Sequence, residues 1–203
     1  MTDPWIIYGT AWKKGGTDGL VERAVRAGFS AIDTANQPRH YQEPLVGKAL
    51  VKLAGEGITR DRLFLQTKFT PVDGQGAEIP YDPAADLKTQ VRQSFESSLE
   101  HLHTDYLDSY LLHGPYNHPA LGAEDWEVWS EIEEIYRSGR AKRIGISNVN
   151  PLQLSELIKR AKVPPSVVQN RCFARNGWDQ EVRRICRDHG VLYQGFSLLT
   201  ANP

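Results

Sequence analysis

The 203 residues carry 24 basic and 25 acidic side chains, with Lys and Arg scattered along the chain, so neither charge nor its distribution implies a nucleic acid or other polyanion partner. The length suits one good core and falls short of two ordinary domains, and no window approaches the ~18 uninterrupted apolar residues of a membrane span. Met1-Thr2-Asp3-Pro4 lacks the basic-then-apolar pattern of a signal peptide, and the pair Cys172 and Cys186 suits a reducing compartment, so the expectation is a soluble, cytoplasmic protein.

In chain order, short apolar runs predict strands over Trp5–Gly9, Ala31–Asp33 and Leu63–Lys68. Leu87, Val91, Phe95, Leu99 and Leu102 then form a stripe at helical spacing. Further strands are predicted over Tyr106–His113 and Ala141–Ser147, with Gly139 placed where the intervening helix would stop. Asn150-Pro151-Leu152-Gln153 puts an N-cap, a proline at the first helical position and a glutamine three after the cap, which predicts another helix. Strands over Ser166–Asn170 and Leu192–Phe196 complete the series, the second following a helix stop at Gly190. Continuous apolar strands alternating with helices require a parallel sheet covered on both faces. Seven strands fit either an open doubly wound sheet or a (β/α)8 TIM-type barrel that stops after its seventh strand.

Three chemically active residues stand at the downstream ends of different strands: Asp33, Lys68 and His113. In a parallel barrel those ends converge on one face. A buried lysine beside a buried aspartate is tolerable only when both are hydrogen-bonded. Such a pair either braces the barrel mouth or lowers the pKa of a nearby acid. Tyr41, in the loop Asn36-Gln37-Pro38-Arg39-His40-Tyr41, can reach the same mouth; a phenol near pKa 10 would need a cation to serve as an acid near neutral pH. His113 could donate to a carbonyl oxygen or relay a proton.

These stretches match a family. Gly28-Phe29-Ser30-Ala31-Ile32-Asp33-Thr34-Ala35, the tyrosine before Glu43-Pro44-Leu45-Val46-Gly47, and Leu65-Gln66-Thr67-Lys68 resemble the aldo-keto reductases. So do Asp105-Tyr106-Leu107-Asp108-Ser109-Tyr110-Leu111-Leu112-His113 and Lys142-Arg143-Ile144-Gly145-Ile146-Ser147-Asn148. Any one motif is weak; all of them in the family's order, from Gly9-Thr10 to the end of the chain, are specific.

The resemblance implies one barrel domain over residues 1–203, holding NADPH, or in some members NADH, at its C-terminal face and reducing a small carbonyl substrate. By the same analogy Tyr41 is the general acid, Lys68 paired with Asp33 lowers its pKa, and His113 orients the carbonyl. Ser147, Asn148 and Gln169 look like the ligands of the nicotinamide carboxamide, and Phe196 stands where an aromatic stacks on the nicotinamide. Ser197 and Leu198 would lie by the pyrophosphate, Thr10, Ala11 and Asp33 would line the cofactor site, and Trp12 would wall the substrate pocket.

Three departures accompany the likeness. The loop from Asp33 to Tyr41 is longer than the family's usual spacing, and the stretch from Tyr41 to Gly47 is shorter. Gly114 follows His113 where a large aromatic is common, which should widen the pocket. The family's eighth strand, last helices and C-terminal substrate loop have no counterpart, so open edges on the first and last strands would favour self-association. An alternative is therefore a weak or inactive barrel that binds a cofactor or a regulatory partner. A metal-dependent hydrolase using Asp33 and His113 is the third reading, and no metal site is expected. His101 and His103 are expected to face solvent, and Trp126, Trp129 and Tyr136 to serve as packing.

Overall fold

The computed structural model describes residues 6–198. Its backbone alternates strand and helix: β1 (Tyr8–Gly9), α1 (Thr17–Arg26), β2 (Ala31–Asp33), α2 (Glu43–Gly55), β3 (Phe64–Phe69), α3 (Leu87–Leu102), β4 (Ser109–Leu112), α4 (Ala123–Arg137), β5 (Ile144–Ser147), α5 (Pro151–Arg160), β6 (Val167–Arg171), α6 (Gln180–Asp188) and β7 (Leu192–Phe196). The strands form one parallel sheet in sequential order from β1 to β7. Sequential parallel order with a helix in every crossover curls the sheet into a barrel wall, which settles the choice between the two architectures in favour of the (β/α)8 type. Among the described residues, the outer edges of β1 and β7 have no strand partner.

The expected strands are all present, several shorter than predicted at their upstream ends. Leu107 makes only an isolated bridge to Ala141 before β4 begins, and Trp5 lies outside the described residues. The stripe on α3 is buried at Val91, Phe95, Leu99 and Leu102. Asn150 caps α5 as expected, its side chain accepting from the Gln153 backbone while Gln153 accepts from the Asn150 backbone. Gly139 and Gly190 adopt φ of 77° and 68°, the left-handed turn that ends a helix most easily at glycine.

Two expectations about side chains are corrected. His103 is exposed, but His101 is only partly so: its Nδ1 lies 3.4 Å from a carboxylate oxygen of the buried Glu43, which raises its pKa. Trp129 is packing, with Nε1 donating to the Val163 carbonyl, but Tyr136 is exposed.

Glu43 is the fastening between layers. It is the first residue of α2, where the helix dipole favours a carboxylate. It accepts hydrogen bonds from Thr67 and, at 3.1 Å, from the Ser98 hydroxyl. Side chains alternate along a strand, so Thr67 faces the helices while its neighbours Gln66 and Lys68 face the barrel interior. The start of α2, and with it the Tyr41 loop, is thereby tied to the strand carrying Lys68.

One turn along α2, Gly47 lets the helices touch. A Cβ there would sit 1.9 Å from the His101 carbonyl oxygen. On an open helix face, Gly→Ala stabilises by roughly 0.5–1 kcal/mol. Here Gly47→Ala is expected to destabilise by about 1–3 kcal/mol through overpacking, read as a lowered urea midpoint. An unchanged or raised midpoint would contradict this α2–α3 contact.

Candidate active site

The downstream ends of the strands bring Asp33, Lys68 and His113 to one mouth. Asp33 is the last residue of β2, Lys68 lies one before the end of β3, and His113 follows β4. Lys68 is 1% exposed and Asp33 9%. The Lys68 ammonium donates to the two Asp33 oxygens at 2.6 and 2.8 Å and to the Thr34 carbonyl at 2.7 Å. All three donor positions are thus filled, as a buried ammonium requires.

Tyr41 reaches the same place. The long loop before it is pinned by Asn36 to the Ser94 carbonyl (2.9 Å), by Gln37 to the Gly74 carbonyl (2.6 Å) and by Gln75 to the Asn36 carbonyl (3.0 Å). The Lys68 ammonium lies 5.5 Å from the centre of the Tyr41 ring, and the Tyr41 and His113 rings meet edge-on with centroids 5.9 Å apart. The phenol pKa, however, is raised rather than lowered. Burial is the main cause and the Asp33 carboxylate adds to it, while the Lys68 protons are directed at Asp33 and Thr34. In this arrangement Tyr41 is a firmly protonated phenol.

His113 is held by the Thr70 hydroxyl, 2.6 Å from its Nδ1. If that hydroxyl donates, the proton of a neutral ring resides on Nε2. Burial, and then the Lys68 charge, push the imidazole pKa down to about 3. Beside it lies a cavity of about 380 Å³ lined by Gln37, Thr70, His113, Gly114, Tyr116 and Asn148, among others. Gly114 lines this side, where a Cβ would stand 3.7 Å from the Asn148 side chain. Tyr81 is buried and donates to the Thr70 carbonyl at 2.7 Å.

A second cavity, of about 650 Å³, opens between β1 and β7 and includes Gly9, Asp33, Gln169, Phe196, Ser197 and Leu198. Thr10 is buried beside it, its hydroxyl and amide both donating to the Asp33 carbonyl, with Ala11 following. Ser147 donates to the Gln169 carbonyl at 2.5 Å. Asn148, at φ 56°, donates its side-chain amide to the His113 carbonyl at 2.8 Å and its backbone N–H to the Gln169 carbonyl at 3.1 Å. Trp12 is 66% exposed and stacks on His40, next to Tyr41, with ring centroids 3.9 Å apart. In the cavity between β1 and β7 Phe196 supplies an aromatic ring, Gln169 an amide and Ser197 a hydroxyl. No cluster of metal-ligating side chains occurs among the described residues.

The interior also holds residues that strand ends alone did not indicate. Gln66 of β3 donates to Asp33 at 2.7 Å, Gln169 of β6 donates to the same oxygen at 3.2 Å, and Gln194 of β7 accepts from both. Barrel interiors are mostly branched aliphatics. A glutamine inside an otherwise apolar or aromatic run, as in Phe64-Leu65-Gln66 and Leu192-Tyr193-Gln194, was the available signal.

The chain belongs to the aldo/keto reductase family, whose sequence profile matches residues 13–201. It is 30% identical over 199 residues to a glyoxal reductase of Bacillus subtilis, covering 97% of this chain and 63% of that protein. It is 31% identical over 207 residues to an NADPH-dependent alpha-keto amide reductase of Saccharomyces cerevisiae, covering 96% and 61%. Among solved structures, an aldo/keto reductase of Brucella melitensis superposes with a TM-score of 0.79 at 30% identity, covering 98% of this chain and 69% of that one. The chain therefore spans 61–63% of the length of these curated relatives.

Because the folded His113 pKa lies below the usual value near 6.5, the folded protein binds fewer protons than the unfolded chain between these pH values. The stability contributed by keeping this ring neutral falls as pH drops from about 6.5 toward 3. The imidazole resonances of His113 are expected to show no titration between about pH 8 and 5. A midpoint near 6.5 would contradict its burial against Lys68.

Proposed function

We propose that this chain carries the catalytic centre of an NADPH-dependent reductase that converts an aldehyde or ketone to an alcohol. The observation that carries this reading is the meeting of the buried Lys68–Asp33 pair, Tyr41 and His113 at one barrel mouth, in a chain of the aldo/keto reductase family. The name of the yeast relative, NADPH-dependent alpha-keto amide reductase, supports the choice of coenzyme.

When bound, NADPH would supply the hydride that reaches the carbonyl carbon. His113, neutral over the ordinary pH range, directs Nε2 at the carbonyl oxygen and orients it. Tyr41 gives its proton to that oxygen as negative charge develops. A phenol held above its usual pKa is fully protonated beforehand and still far more acidic than the alcohol being formed. The phenolate left behind is stabilised by the Lys68 ammonium, which lies 5.5 Å from the centre of the Tyr41 ring and is kept in place by Asp33. Thr10, Ala11, Ser147, Asn148, Gln169, Phe196, Ser197 and Leu198, with Asp33, form the coenzyme side of the mouth. The cavity at His113 and Gly114 takes the carbonyl compound, with Trp12 at the rim.

A second reading, a cofactor-binding barrel with little turnover, is favoured by one feature: every Lys68 donor is committed to Asp33 and Thr34, so none is directed at the Tyr41 oxygen. The two readings differ in a simple assay. Under the first, the purified chain oxidises NADPH with an aromatic aldehyde, and Tyr41→Phe lowers kcat by about 10²–10⁴-fold while NADPH affinity, read by fluorescence quenching, stays within about threefold. Full turnover by Tyr41→Phe would overturn the acid assignment. Coenzyme binding without turnover by the wild type would favour the second reading.

A further inference from the structure

The cavity of about 380 Å³ beside His113 has a single charged side chain in its lining. Asp73 is the only acid or base there other than His113 itself. His113 brings no charge, because burial, and then the Lys68 ammonium, push its pKa down to about 3. The Lys68 ammonium is committed to Asp33 and the Thr34 carbonyl. Arg39 packs beside Gly76, where a Cβ would lie 3.2 Å from the Arg39 Cβ, and takes no part in the lining.

Two more carboxylates stand beside Tyr116, which forms one wall of the cavity. Asp125, 1% exposed, accepts from the Tyr116 amide at 2.7 Å, the Gly122 amide at 2.9 Å and the Asn117 side chain at 3.1 Å. Those donors are neutral, so they hold the carboxylate in place without cancelling its charge. Glu124, exposed, accepts from the Asn117 side chain at 3.0 Å. Among the described residues no ion pair joins Asp73, Glu124 or Asp125 to a basic side chain. The Tyr116 phenol registers this surplus: burial raises its pKa most, Tyr81 next, and then Asp125, Asp73 and Glu124 in turn, with no cation opposing them.

We propose that this acidic rim makes the cavity a site for neutral or cationic carbonyl compounds and turns away those bearing a carboxylate, with Asp73 as the specificity-determining residue. The inference deepens the reductase reading, which gives this cavity to the carbonyl compound. An anionic substrate would leave water for a cavity that has no cation to pair with it, and would meet Asp73 with like charge. A cationic group would meet Asp73 with opposite charge. Asp73 and Glu124 are exposed, so salt screens part of the selection.

The test uses three aldehydes built on one ring, with NADPH as reductant: 4-formylbenzamide, 4-formylbenzoate and (4-formylphenyl)trimethylammonium. Each kcat/KM is divided by the rate of borohydride reduction in solution, which removes the ring's own reactivity. At low salt the wild-type chain is expected to prefer the amide to the carboxylate by about 5–30-fold, with the ammonium compound at least equal to the amide. Asp73→Asn should narrow the amide-to-carboxylate ratio by about threefold, and Asp73→Lys by more. Binding to the coenzyme-free chain, read by NMR at Thr70, should be tighter for benzamide than for benzoate. Equal use of amide and carboxylate by the wild type would overturn the inference. So would a ratio left unchanged by both Asp73 variants once thermal melts show them folded. If no aldehyde is reduced, the reductase reading falls; tighter binding of benzamide would then uphold the charge selection, and equal binding would overturn it too.

Discussion

The buried Lys68–Asp33 ion pair is the constraint around which the barrel interior is arranged. An ammonium at 1% exposure would be intolerable without full hydrogen bonding, and the fold supplies it from Asp33 and the Thr34 carbonyl. The demand then spreads outward. Asp33 accepts from Lys68, Gln66 and Gln169, and those glutamines need Gln194. An interior layer that would ordinarily be aliphatic is polar because one lysine is placed there.

The same pair connects the two sides of the mouth. Toward the cavity at His113 and Gly114 its charge helps keep the imidazole neutral, and Tyr41 lies across its ammonium. Toward the cavity between β1 and β7 its counter-ion holds Gln169. On the outer face of β3, Thr67 next to Lys68 anchors Glu43 and the start of α2, so the Tyr41 loop is referenced to the same strand. The chemistry proposed for the site depends on this connectivity more than on any single contact.

Much of the arrangement was legible in the amino-acid sequence. Apolar runs ending in Asp33, Lys68 and His113 identify strand ends because only a parallel architecture buries whole runs, and the α3 stripe and the Asn150 cap are local patterns with local causes. The ordered family motifs placed Tyr41 despite its unusual loop length. What the sequence did not disclose was set by long-range geometry. The polar layer joins residues as far apart as Gln66 and Gln194, and Thr70 meets His113 only after β3 and β4 pair. The Tyr41 pKa ran against expectation for the same reason: burial and the direction of the Lys68 protons depend on tertiary placement. His101 looked solvent-facing at the end of a helix pattern because nothing local reveals that α2 lays Glu43 against it.

In this dry interior the Lys68–Asp33 pair is a mutual dependence that can be measured. A double-mutant cycle on folding stability tests it directly, with Asp33→Asn, Lys68→Met and the double variant unfolded in urea. Each single variant should lose about 3–5 kcal/mol by leaving its partner without full compensation, and the double variant should recover a large part of that loss. Single losses below about 1 kcal/mol that simply add would show that the two charges are solvated independently, as surface pairs are, and would contradict the account.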